Sequence, residues 1–108
     1  MGEPAGIGPE ITLQAWHRRS PDAATAVVIG NSDHYRRLAE RLELSVDVVD
    51  VTTPADAFNL APNKLPVLPL DLPAPVEPGT LNPANAQAVI DAITEAVRLA
   101  MAGQVSAI

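Results

Sequence analysis

A chain of 108 residues and 11.3 kDa has room for one domain or part of a larger one. Its formal net charge of −6 and pI near 4.6 argue against a nucleic-acid partner, whose phosphates need clustered cations. At 47% apolar it is no disordered acidic tail, but 18 residues are Ala and only Trp16, Tyr35 and Phe58 are aromatic, so its core is thin.

In chain order, Met1 to Gly8 reads as a Gly-rich loop. Pro9 sits where a first helical residue is favoured, because its missing N–H wastes no bond there. Glu10 to Arg19 then reads as a short helix with His17, Arg18 and Arg19 at the negative end of its dipole. Ala26 to Ile29 looks like a buried strand ending at Gly30-Asn31. Ser32 is a plausible N-cap for a helix from Asp33 to Leu42 with Tyr35, Leu38, Ala39 and Leu42 on one face. Ser45 to Val51 is expected as a strand nearer the sheet edge.

Thr52 to Pro83 holds eight of the eleven prolines. Leu65 to Leu70 could be a strand there, confined by Pro66 and Pro69 to an edge or a short piece. The rest reads as ordered loop or as a connection covering another domain, with a Pro-rich linker as the alternative. Asn82 caps the strongest helix, Pro83 to Ala102. Its expected buried stripe is Ala86, Val89, Ile90, Ile93, Ala96, Val97, Ala100 and Met101, and Gly103 supplies the left-handed C′ residue. Val105 to Ile108 is expected to begin another buried strand. A chain ending inside a core strand would be a fragment. Alternation of strands and helices makes the class α/β.

Without Cys there is no disulfide or thiolate metal site. No secretory signal pattern opens the chain, and no apolar run reaches the roughly 18 residues of a membrane span. A cytoplasmic, membrane-free protein is therefore the expectation.

The most informative segment is Gly2-Glu3-Pro4-Ala5-Gly6-Ile7-Gly8-Pro9-Glu10. No Lys-Ser/Thr follows its glycines, so it is not a Walker A loop, and Ile11 stands where a Rossmann fingerprint needs its third glycine. What remains is a Gly/Pro turn feeding a helix N-terminus, where free N–H groups can meet a polar partner or simply shape a turn. The carboxylates offer no acid/base pair. Asp47 and Asp50 point to opposite strand faces, and Asp91, Glu95 and Arg98 make a solvated helix face. His17 and His34 lie on different helices, match no ligand spacing and are expected at the surface.

The wording of the loop, continued into Ile11, resembles the N-terminal signature of the 4-hydroxythreonine-4-phosphate dehydrogenase family of vitamin B6 biosynthesis. Pro78-Gly79-Thr80-Leu81-Asn82-Pro83-Ala84-Asn85-Ala86, the long helix and Gly103 to Ile108 look like the same family's next landmark. The resemblance spans all 108 residues but only about the first third of a family member.

The resemblance implies the N-terminal part of a two-domain, homodimeric enzyme, here an incomplete sheet from a three-layer α/β fold like that of isocitrate and isopropylmalate dehydrogenases. The implied reaction oxidises 4-phosphooxy-L-threonine, a small phosphorylated substrate, with NAD or NADP and a divalent metal (Zn, Mg or Co). It places Gly6, Ile7, Gly8, Pro9 and Glu10 at the cofactor cleft, with Glu3 a weaker candidate. The strand before the loop, and the family's metal-binding histidines, His-Thr substrate contacts and later Lys, have no counterpart in these residues. No catalytic or metal-ligating residue is therefore assigned, and the chain alone is expected to be inactive and to bind no cofactor or metal. The alternatives are a relative acting on a phosphorylated threonate-type sugar acid or a dihydrodiol, and an inactive truncated α/β module.

Overall fold

The computed structural model describes residues 1–108. Helix α1 spans Gly8–Arg18, strand β1 Val28–Gly30, helix α2 Ser32–Arg41 and strand β2 Asp47–Asp50. A 3₁₀ helix at Pro54–Asn59 leads to strand β3 at Lys64–Pro69. A 3₁₀ turn at Pro83–Asn85 then opens helix α3, Ala86–Met101. The strands form one parallel sheet in the order β1-β3-β2, which bears out the α/β class. Leu13 of α1 and Tyr35 and Ala39 of α2 pack on Val48, Leu65 and Val67 to make the core.

The Pro-rich strand is central and six residues long, contrary to the expectation of an edge or a short piece. The register explains why its two missing donors cost little. Val67 accepts from the Val51 N–H on the β2 side (2.8 Å), and the Leu70 N–H donates to Gly30 on the β1 side (2.7 Å). Residues of β3 alternate between its neighbours, so Pro66 faces the β1 side and Pro69 the β2 side. β1 begins only at Val28, opposite Val67, and β2 ends at Asp50, also opposite Val67. Each proline therefore lies where the neighbour has not yet started or has already stopped.

Helix ends follow local chemistry. Asn31, not Ser32, caps α2, because its Oδ1 accepts the His34 N–H at 2.9 Å. α3 ends in a Schellman arrangement: Gly103, at φ 72°, donates to Ala100, and Gln104 donates to Leu99.

The face that α3 buries differs from the expected stripe. Ala88, Ala92 and Leu99 are its buried residues, and the helix touches β1. Ile90, Ile93, Val97 and Met101 stand 41–85% exposed. Alanines let helix and sheet approach closely, which turns the larger side chains outward. Val105 to Ile108 pairs with no strand and is mostly exposed, so the expected strand does not form.

Candidate functional site

In open parallel sheets, ligands are met outside the carboxyl ends of the strands. Here that edge is formed by Gly30-Asn31 after β1 and Leu70 after β3. Asn31 ties them together: it caps α2 and donates from Nδ2 to the Leu70 carbonyl at 3.0 Å. The N-terminal loop lies on the same edge. A β-carbon on Gly30 would come within 3.1 Å of the Met1 side chain and 3.0 Å of the Tyr35 ring, so the bare glycine leaves room for both to pack tightly here.

Within the loop, Gly6 N–H donates to the Glu3 carbonyl at 3.1 Å, and Ala5 N–H donates to Glu3 Oε1 at 3.1 Å. Glu3 thus serves the turn itself. Gly6, Ile7 and Glu10 are exposed, Gly8 is half-buried and Pro9 is fully buried. Pro9 is therefore a packing residue, whereas the backbone from Gly6 to Gly8 leads into an α1 N-terminus without a side-chain cap. On the outer side of α1, Ile7, Glu10, Ile11, Gln14, Ala15 and Arg18 line a shallow groove of about 400 Å³.

The two segments singled out in the sequence meet in space. Gly79 N–H donates to the Ala5 carbonyl at 2.9 Å. Gly79 has φ 80°, and the Thr80 N–H returns to Glu77 at 3.0 Å, a type II turn that Pro78-Gly79 signals by composition. Asn85, also buried, grips both the N–H and the carbonyl of Ala74.

His34 is the residue the sequence misplaces. It is 6% exposed rather than on the surface, because α2 turns it toward the loop at Pro4. Burial holds its pKa below the ordinary 6.5, against the favourable Pro4 carbonyl and with help from the Arg37 and Arg41 charges. His17 is exposed on α1. No three His, Asp or Glu side chains gather as a metal would require, so these residues do not themselves fit a metal centre.

The family model described as "Pyridoxal phosphate biosynthetic protein PdxA" matches residues 22–108. The chain belongs to this family. The PdxA match begins after the Gly-rich loop, but that loop falls within the full-length similarity to individual relatives. A protein of Methylorubrum extorquens named 4-hydroxythreonine-4-phosphate dehydrogenase is 44% identical over 111 residues, covering 100% of this chain and 32% of its own. One of Pectobacterium atrosepticum named D-threonate 4-phosphate dehydrogenase is 37% identical, covering 100% of this chain and 34% of its own. A solved 4-hydroxythreonine-4-phosphate dehydrogenase from Klebsiella pneumoniae, 31% identical, superposes on 97% of this chain and 33% of its own with a TM-score of 0.83. The chain thus spans about one third of the length of these PdxA-family relatives.

Proposed function

We propose that these residues are the N-terminal part of a two-domain dehydrogenase that oxidises the secondary alcohol of 4-phosphooxy-L-threonine to 2-amino-3-oxo-4-phosphooxybutanoate. The observation that carries this reading is the 44% identity, across the whole chain, to a protein named for that activity. NAD or NADP would supply the hydride acceptor and a divalent metal a Lewis acid for the hydroxyl, and none of these residues is assigned to hold the metal. The part played by these residues is positional. The backbone of exposed Gly6 and Ile7 and half-buried Gly8 lines the cofactor cleft, Glu10 stands at its mouth, and the Gly79–Ala5 bond holds the loop there. The cleft acts in a homodimer, and the 108 residues alone turn over no substrate. A phosphorylated-threonate specificity is the second reading, favoured by the 37% identity to the protein of that name.

A chimera tests whether these residues serve such a dehydrogenase. These 108 residues would replace the corresponding segment of the Methylorubrum extorquens relative, and NADH formation would be followed by absorbance. Turnover of 4-phosphooxy-L-threonine by the chimera, and none by the isolated chain, is expected. A folded chimera that is inactive on 4-phosphooxy-L-threonine would overturn the first reading.

A further inference from the structure

The stretch between Leu70 and α3 contains no buried residue until Asn85, which is only 2% exposed. Asn85 stands at the N-cap of α3, where an asparagine side chain ordinarily accepts an N–H of the first turn. Here it makes no such bond, and Asn82 instead accepts from the Ala84 N–H at 3.0 Å. The Asn85 amide is turned across the chain to Ala74. Its Oδ1 accepts the Ala74 N–H at 3.0 Å, and its Nδ2 donates to the Ala74 carbonyl at 3.2 Å. One side chain thus satisfies both backbone groups of a residue 11 positions away, and only this orientation of the amide can do so.

Ala74 is also the root of a stiff segment. Pro75 and Pro78 have fixed φ, and Ala74 and Glu77 are held toward extended backbone by the prolines that follow them. The far end of the segment is Gly79, whose N–H donates to the Ala5 carbonyl of the N-terminal loop at 2.9 Å.

We propose that Asn85 is a positioning residue for the N-terminal loop: its amide anchors Ala74, and the proline-stiffened segment carries that anchor to the Ala5 carbonyl. The segment has little buried surface to hold it, so its place is set at its two ends. Without the amide the Ala74 end is released, and the Gly79–Ala5 bond loses its fixed donor. The consequence for catalysis, but not the positioning itself, rests on the reading of Gly6 to Gly8 as part of the cofactor cleft.

The test uses the folded chimera described above, in which these residues keep the rest of an enzyme around them. Hydrogen exchange read by mass spectrometry should show peptides covering residues 1–8 and 74–80 exchanging about tenfold faster in Asn85→Leu, with the β3 peptide covering 64–70 unchanged. Asn82→Ala, which strips the cap but leaves the Ala74 grip, should leave the loop peptides as in wild type. In steady-state kinetics, Asn85→Leu should raise KM for the nicotinamide cofactor about fivefold and leave KM for 4-phosphooxy-L-threonine within about twofold. Loop peptides that exchange alike in wild type and Asn85→Leu would overturn the proposal. Equal loosening of residues 64–70 would do the same, since Asn85 would then serve general stability. Faster loop exchange with an unchanged cofactor KM would uphold the positioning and count instead against the loop as part of the cleft. Should Asn85→Leu fail to fold, Asn85→Asp takes its place: it keeps the acceptor for the Ala74 N–H, loses the donor to the Ala74 carbonyl, and is judged by the same comparisons.

Discussion

A β-carbon at Gly8 would stand 3.0 Å from the Met1 carbonyl oxygen, a tight contact that only a shift of the Met1 backbone by a few tenths of an ångström would relieve. Gly8→Val should therefore displace the turn that enters α1. In the chimeric enzyme we expect kcat/KM to fall by at least about tenfold, on the order of 1.4 kcal/mol in transition-state stabilisation. Arg98→Ala removes only the solvated pair with Glu95 and should leave turnover near wild type. Equal kinetics for the two variants would place the loop outside the site. His34 brings a pH dependence of definite sign. Its folded pKa lies below 6.5, so the unfolded chain takes up the proton first. The stability it confers is intact above 6.5 and declines as the pH falls from there toward the folded value. Urea midpoints at pH 7.5 and 5.5 should differ more in wild type than in His34→Leu; a wild-type midpoint that rises on acidification would contradict this.

Among the elements, α2 ends on a non-glycine in the left-handed region. Glu43 has φ 54° and donates to Glu40 while Leu44 donates to Ala39, the same Schellman pattern that Gly103 completes for α3. Here a side chain sits where glycine is free of strain. Glu43→Gly should raise the unfolding free energy by about 0.5–1 kcal/mol, the left-handed strain relieved less the backbone entropy of glycine. A urea midpoint that drops would show that the Glu43 side chain contributes more than its backbone costs. For α3, Ala88, Ala92 and Leu99 are covered while Ile90, Ile93, Val97 and Met101 face outward.

For the whole molecule, only 20 of 108 residues are buried, in a slab of 36 × 34 × 18 Å. That geometry leaves much apolar surface in water and little core to offset chain entropy. We expect the isolated chain to unfold at a low urea midpoint and to scatter light as its concentration rises. Ile90→Gln with Ile93→Gln should reduce the scattering without lowering the midpoint, because both residues are already solvated. Circular dichroism and light scattering read the two effects separately. A monomer with a sharp midpoint typical of small domains would refute the expectation.

The sequence by itself determined what depends on a few neighbouring residues. The strand end at Gly30-Asn31, the stop at Gly103, the Tyr35–Ala39 face of α2 and the family wording of the two segments were all legible, because caps and turns act within about one helical turn. Tertiary structure alone decided which surfaces meet. Pro66 and Pro69 enter a central strand only because β1 starts late and β2 stops early. α3 buries its alanines rather than its isoleucines because close approach to β1 favours the smaller face. His34 goes inside because Pro4, thirty residues earlier in the chain, folds back over α2, and Gly79 reaches Ala5 across a still longer separation. Local chemistry specifies where an element begins and ends. Which of its faces is covered, and which polar atom is left without a partner, depends on residues far away along the chain.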